Sequence, residues 1–370
     1  MRARTSGVVA LAVTASLVTA PAAATATARC DTRPIQTALE ALKGVGAPGI
    51  VVTVKSPRCG IRNGGVGLAD RRTGRAVTGD EHSRIGSDTK AWTATVVLQL
   101  VGEGRISLDD TVERYLPGLV RTRRYDGREI TIRQLLQHTS GLPDYLEAPF
   151  WDDEEAHRWD HIEPLRTVKQ ALALPPPDRT PSGFAYANTN YNLAGLIVTK
   201  VTGRGIGAEI ERRIIQPLGL RETYWPGDRT TIARPDLRSY VKRSGTLVDR
   251  TEWNTSEADA SGELISTGAD ATAFWTALMT GKLLAPAQLT EMKRTIPDDA
   301  GQGYGLGVER YQHTPGTDTW GHSGSMSSGH TFRNAVTDDG ERAVTLLIDT
   351  DEFDSGKVES VIGALIRDLR

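Results

Sequence analysis

Hydrophobic positions change period along the chain, and the changes mark out its elements. Ile35, Leu39 and Leu42 recur at helical spacing and predict a short opening helix over 35–42. Gly49-Ile50-Val51-Val52-Thr53-Val54 is β-branched and predicts a strand, with 65–70 as its hairpin partner and a turn at Thr73-Gly74. A helix is expected from Ser87 to Val101, stopped at Gly102 or Gly104, and a shorter one starting at Ser107 and ending before Pro117. From Ile130 to about Leu220 helical patterns dominate. They cover 131–136, 190–201 (stopped at Gly203) and 206–215 (ended by Pro217), with a turn-rich stretch at 138–143 and a break at Pro175-Pro176-Pro177. Residues 226–260 are polar and irregular and predict no element. Helices are expected again over 264–279 and 286–292. Strands follow at 303–308, 319–322, 329–336 and 343–348, the last two around the turn Asp338-Asp339-Gly340. An amphipathic helix, carrying Val358, Val361, Ile362, Leu365, Ile366 and Leu369, closes the chain.

Strands, a long helical middle, then strands: this order predicts an α+β fold, an antiparallel sheet flanked by helices with a mainly helical inserted second domain. The expected division is a discontinuous sheet domain, 29–110 with 260–370, and a helical domain, 111–259, with a cleft between them. Hydrophobic residues at 38% and charged residues at 24% fit a globular chain. A net charge of −2 gives no reason to expect a nucleic-acid partner.

The first 28 residues read differently. Arg2 and Arg4, an apolar run over 8–18 and Ala26-Thr27-Ala28 follow the order of a secretory signal peptide. Cleavage is placed after Ala28, with Ala24 the alternative. The run is shorter than the ~20 residues a membrane span needs, so the expectation is secretion without a transmembrane anchor. Only two cysteines occur, Cys30 and Cys59, and in an exported chain an even count suggests a disulfide.

The chemistry begins at Ser87-Asp88-Thr89-Lys90. Residues three apart on a helix share a face, so Ser87 and Lys90 can address one point, beside a helix start that favours negative charge. A hydroxyl, an amine able to take its proton and an electropositive helix end outline an activated nucleophile. Two further motifs follow in order, Tyr186-Ala187-Asn188 and His322-Ser323-Gly324-Ser325. Taken singly, each motif is equally a helix cap, a packing aromatic or an edge-strand histidine. No G-x-S-x-G, phosphate-binding loop or dinucleotide fingerprint occurs. His157 and His161, flanked by acids, lack a third ligand pattern, so no metal or other cofactor is expected.

Together, Ser-x-x-Lys, Tyr-x-Asn and His-Ser-Gly resemble the serine β-lactamase and penicillin-binding protein family, in its secreted D-alanyl-D-alanine carboxypeptidase branch. RIGSDTK, LLQHTSGLPDY, YANTNYNLAGLIVTKVTG and WGHSGS extend the resemblance over most of the chain. The resemblance implies that Ser87 forms an acyl-enzyme, that Lys90 and Tyr186 handle its proton, and that Asn188 holds the substrate amide and orients Lys90. It leaves open which of Lys90 and Tyr186 is the base. The backbone N–H groups of Ser87 and Ser325 would form an oxyanion hole, and His322, Ser323, Gly324 and Ser325 the facing wall. Arg310 is a candidate to pair with a substrate carboxylate through its guanidinium, or else a solvated edge-strand arginine beside Glu309, and Trp253 resembles an active-site tryptophan. The implied partner is a D-Ala-D-Ala-terminated peptide or a β-lactam, met by a monomer. The alternatives are an esterase, a D-aminopeptidase or a β-lactamase of the same fold. Asp88 departs from the pattern, since a small or apolar residue is more usual there. If close to Lys90, it would raise the lysine's pKa and blunt a basic role.

If the cysteines are paired, alkylation of the mature protein without reductant will leave its intact mass unchanged. Labelling of both thiols would contradict the pairing.

Overall fold

The beginning and end of the chain meet in one antiparallel sheet. A computed structural model describes residues 30–314 and 316–369, so the expected signal segment lies outside the described residues. Strand Gly49–Ser56 pairs with Gly60–Asp70 on one side and with Ala343–Ile348 on the other. Thr331–Thr337, Thr317–Gly321 and Glu309–Thr314 continue the sheet outward. Ala343–Ile348 is buried at every position, which is why it reads as a continuous apolar run rather than an alternation.

Helices Arg33–Leu42 and Ser355–Asp368 cover one face, setting Ile35, Leu42, Val358 and Ile362 among Ile50, Val52, Val344 and Leu346. Each such side chain, fully buried, contributes about 1.5–3 kcal/mol. Gly268–Met279 covers the opposite face. From there an apolar core continues without a break into the helices of the 111–259 segment, crossing the expected domain boundary. Cys30 and Cys59 are joined in a disulfide, Cα atoms 4.9 Å apart, tying the start of the described chain to the turn between the first two strands.

At the junction lies the helix Thr89–Gly102, of whose 14 residues 11 are buried. It is entered through a tight 3-10 turn, Gly86–Asp88, so Ser87 lies in that turn and is not the helix cap its position suggested. Asp88 is fully buried and faces away from Lys90. Its two oxygens accept from the indole N–H groups of Trp92 (3.1 Å) and Trp275 (2.8 Å). It therefore clamps this helix to Gly268–Met279, where Trp92 also stacks on Phe274 at 3.8 Å. The feared coupling to Lys90 does not arise.

Several other expectations are corrected. Residues 264–267 are not helical: strand Ile265–Thr267 pairs with His82–Arg84, and Thr267 then caps the helix through Asp270 N–H. The 303–308 strand is interrupted. After Gly303–Tyr304 the chain turns through Gly307 (φ +75°) and returns as Glu309–Thr314, because a side chain at 307 would collide with Ala94 and Tyr191 of the neighbouring helices. The stretch 226–260 holds a hairpin, Tyr240–Arg243 with Thr246–Asp249, turned by Ser244 and Gly245, both at positive φ. Ser107 opens a turn held by Asp110, and the short helix begins only at Val112.

Burial pushes the Asp88 carboxyl up to about 7. A group raised above its unfolded value of ~3.9 gives stability that is complete below that value and is lost as pH rises through the folded one. Asp88→Ala, which leaves two buried indole donors unpaired, is expected to cost about 2–4 kcal/mol near pH 4. The loss should shrink toward pH 7–8 in urea unfolding, and a pH-independent loss would contradict this placement.

Candidate active site

Ser87, Lys90, Tyr186 and Asn188 come together where the 3-10 turn, the buried helix and helix Asn188–Thr202 converge. Lys90 is completely buried, and its ammonium nitrogen has three hydrogen-bond partners. These are Ser87 Oγ at 2.9 Å, Asn188 Oδ1 at 2.7 Å and the Ser261 carbonyl at 2.8 Å. Among the described residues no carboxylate bonds to it. Burial lowers its pKa to about 7, against the weaker upward pull of Asp144 and Glu309.

The identity of the three partners matters. Asn188 Oδ1 and the Ser261 carbonyl can only accept, whereas the Ser87 hydroxyl can also donate. A neutral Lys90 that gives its two N–H bonds to the two pure acceptors has its lone pair left for the Ser87 proton. Asn188 is held in the required orientation by Asp144, which accepts from Asn188 Nδ2 (2.7 Å) and from its backbone N–H (3.0 Å). A carboxylate forces the amide NH₂ toward itself and so turns the amide oxygen to Lys90.

Tyr186 interacts with Ser87 through its hydroxyl, and its ring centroid lies 4.9 Å from Lys90 Nζ. Burial raises the Tyr186 phenol well above its ordinary value, so it stays protonated near neutrality. Near pH 7 burial thus makes a neutral Lys90 amine available and leaves the Tyr186 phenol protonated.

The facing wall is the two-residue strand Gly324–Ser325, which pairs with Thr331 and Phe332. Its approach to Ser87 is unusually close and depends on two glycines. A Cβ at Gly324 would lie 2.0 Å from the Ile85 carbonyl, and one at Gly86 (φ +52°) would lie 2.8 Å from the Ser325 carbonyl. Ser323 and Ser325 both line the cleft that Ser87 opens into.

His322 lies one step behind this wall. It is buried and has no hydrogen bond to Ser87, Lys90 or Tyr186; instead it ends a directed chain. Ala187 N–H donates to His138 Nδ1 (3.2 Å), so His138 carries its proton on Nε2 and donates to Tyr304 Oη (3.1 Å). Tyr304 then donates to His322 Nε2 (3.0 Å), and His322 Nδ1–H gives to the Ser323 carbonyl (2.6 Å). Burial holds His322 down at about 3 and His138 well below its usual range, so both rings are neutral. His322 thus orients Tyr304 and the strand, and does not touch the reacting atoms.

Two expected residues are elsewhere. Glu309 is the cross-strand partner of Tyr304 and Arg310 that of Gly303; Glu309 lines the cleft of Ser87, and both line a neighbouring cavity. Arg310 lies 3.8 Å from Asp318 and does not line the cleft of Ser87. Trp253 is buried under Arg250, whose guanidinium lies 4.6 Å above its ring, and gives its carbonyl to Arg84 (2.7 Å). It is a structural anchor outside the cleft. Conversely, Asp144, His138, Tyr304 and Glu309 were not singled out from sequence. The first two lie inside LLQHTSGLPDY, and the other two would have emerged had the 303–308 strand been read as a hairpin.

Comparison with known proteins extends these findings. Residues 35–361 match the family model described as Beta-lactamase. Among solved structures, a D-stereospecific amidohydrolase from Streptomyces sp. superposes with a TM-score of 0.82 at 39% identity, over 90% of this chain and 98% of that one. The D-amino acid amidase of Ochrobactrum anthropi SV3, complexed with L-phenylalanine amide, gives a TM-score of 0.78 at 26% identity, over 90% and 98%. Esterase EstB of Burkholderia gladioli is 36% identical over 168 residues, 42% of this chain and 41% of the esterase. Penicillin-binding protein 4 of Amycolatopsis lactamdurans is 36% identical over 159 residues, 42% and 39%. The matched region therefore spans about two fifths of the length of these curated relatives.

With Lys90 at about 7, hydrolysis of a neutral ester such as p-nitrophenyl acetate should rise with pH through that value. Asp144→Asn removes a charge that favours protonated Lys90, so the rising limb should move to lower pH. A limb above pH 9, or a shift upward in the variant, would contradict the assignment.

Proposed function

The chain belongs to the Beta-lactamase family and is a serine hydrolase of that fold; on that premise we propose that it is an amidohydrolase cleaving amides or esters of D-amino acids through an acyl-enzyme on Ser87. The observation that supports this most is Lys90, buried among two pure acceptors with Ser87 as the one partner able to give it a proton. The likeness to a D-stereospecific amidohydrolase over nearly its whole length favours the substrate class.

In this reading Ser87 Oγ attacks the carbonyl carbon while its proton passes to Lys90 Nζ. The oxyanion that forms is received by the backbone N–H groups of Ser87 and Ser325, a pair of donors each able to matter by ~10²–10³ in rate. Collapse breaks the C–N bond, and the leaving nitrogen takes the proton from Lys90 by way of the Tyr186 hydroxyl. Water then attacks the ester and gives its proton to Lys90; the acyl C–Oγ bond breaks, Lys90 returns the proton to Ser87 Oγ, and the acid leaves. The reaction consumes one water and needs no oxidant or reductant. Among the described residues no helix is long and apolar enough to cross a membrane, and we infer that the enzyme is exported after loss of 1–28 and works as a monomer.

The carboxypeptidase reading keeps the same machinery and draws support from the penicillin-binding relatives. It is the second reading here because Arg310, its expected carboxylate anchor, does not line the cleft of Ser87 but a neighbouring cavity that shares Glu309 and Ser323 with it.

The test is covalent capture. D-Phenylalanine p-nitrophenyl ester or a labelled penicillin, quenched early, should add one acyl group mapping to Ser87, and Ser87→Ala should show neither adduct nor turnover. An adduct on another residue, or full turnover in Ser87→Ala, would overturn the proposal. Release of D-Ala from diacetyl-Lys-D-Ala-D-Ala faster than ammonia from D-phenylalanine amide would select the second reading.

A further inference from the structure

The cleft over Ser87 has a volume of about 350 Å³ and is lined by acids without bases. Asp298, Asp299 and Glu309 line it, and among the described residues no lysine or arginine does. Lys90 is buried beneath the cleft floor and spent on its three partners.

Of the three acids Glu309 is the one built into the site. Its cross-strand pairing with Tyr304 places it in the lining of the cleft, and its side chain is 15% exposed; it also lines the neighbouring cavity that Arg310 and Arg333 enter. Oε2 accepts the Ser323 N–H at 3.3 Å, which ties it to the strand facing Ser87. Oε1 lies 3.8 Å from His322 Nδ1, but that ring is neutral and its N–H is already given to the Ser323 carbonyl. Arg333, the nearest guanidinium acting on it, bonds the Phe332 carbonyl and pairs with Glu359 at 3.4 Å. Glu309 is therefore a carboxyl beside the nucleophile with no cation of the protein bound to it. Burial raises it to about 8, and a cation settling within hydrogen-bond reach would pull it back toward its ionised form.

We propose that Glu309 receives the α-ammonium group of the substrate, so that the enzyme acts on amino acid amides, esters and peptides with a free amino terminus and rejects their N-acylated forms. The inference rests on the Ser87 acyl-transfer reading and adds the substrate's charge to it. An ammonium α to the scissile carbonyl is two bonds from the carbon that Ser87 attacks, so one cleft this size can hold both. The discrimination has the right physical form. A polar group placed to bind an N–H rejects an analogue that cannot supply it far better than an apolar pocket rejects a size change. A substrate ending in a carboxylate would instead bring its negative charge up to Asp298, Asp299 and Glu309.

The test compares kcat/KM for D-phenylalanine amide and N-acetyl-D-phenylalanine amide in the wild type, Glu309→Gln and Glu309→Asp. The wild type should prefer the free amine by about 10- to 100-fold, the size expected for a hydrogen bond to a charged group in a partly dry site. Glu309→Gln should bring the ratio close to one, chiefly through KM, and Glu309→Asp should retain part of it. A wild type that cleaves both amides equally or prefers the acetylated one, while still acylating Ser87, would overturn the role of Glu309 and leave the serine mechanism standing. So would a Gln variant whose ratio is unchanged. Absence of any acylation at Ser87 would overturn both.

Discussion

Everything in this site depends on an amine that has been taken out of water. Lys90 has no exposed surface and no counter-ion in contact, and its charged form loses its hydration without gaining a carboxylate in exchange. Burying an unpaired charge is expensive, and the group responds by losing its proton at a pH where lysines ordinarily keep it. A carboxylate at hydrogen-bond distance would restore the proton and end the chemistry. The protein keeps Asp144 one residue back, bonded to Lys90 only through the Asn188 amide, so that its charge pulls on the amine too weakly to offset burial. Proximity to an acid is used for orientation, and a direct ion pair is withheld.

The fold can be understood as the apparatus that holds this arrangement. Asp88 anchors the serine turn from behind, by two indole donors, so that its neighbour Ser87 faces the cleft while the helix stays fixed on the sheet. Gly86 and Gly324 remove the two side-chain atoms that would hold the facing strand away. The loop carrying the Ser261 carbonyl passes through Asp259 at φ +37°, and His138 stands at φ +56°, both in the left-handed region where a non-glycine residue is strained by ~1–3 kcal/mol. The two strained residues flank the site on opposite sides: one leads to a Lys90 acceptor, and the other heads the neutral His138–Tyr304–His322 chain.

Much of this was legible in the sequence because local pattern and final structure agree. Ala343–Ile348 and Pro286–Met292 were bounded from hydrophobic runs and a proline, since nothing in the tertiary structure competes with those signals. The catalytic motifs were legible through type and order. What could not be read was direction. Arg310 and Glu309 are adjacent, and only the turn at Gly307 decides which of them faces the cleft. A one-residue change of register exchanges them. Asp88 looked like a threat to Lys90 because linear spacing does not show the two tryptophans, one of them far along the chain, that draw it into the core. Trp253 is hidden for the same reason: Arg250, next to it, follows a hairpin that a polar stretch conceals, and Arg84 comes from a strand far earlier in the chain.

The central claim is that burial lowers the Lys90 amine to about 7, so that its neutral form is available at physiological pH, and the direct measurement is its own titration. Heteronuclear NMR of the mature protein, with the Lys90 resonance assigned by a Lys90→Arg variant, would follow its side-chain carbon and nitrogen shifts from pH 5 to 11. The account predicts one transition near 7 for Lys90 while the exposed lysines titrate near ~10.4. A Lys90 that keeps its proton to pH 10 would contradict it.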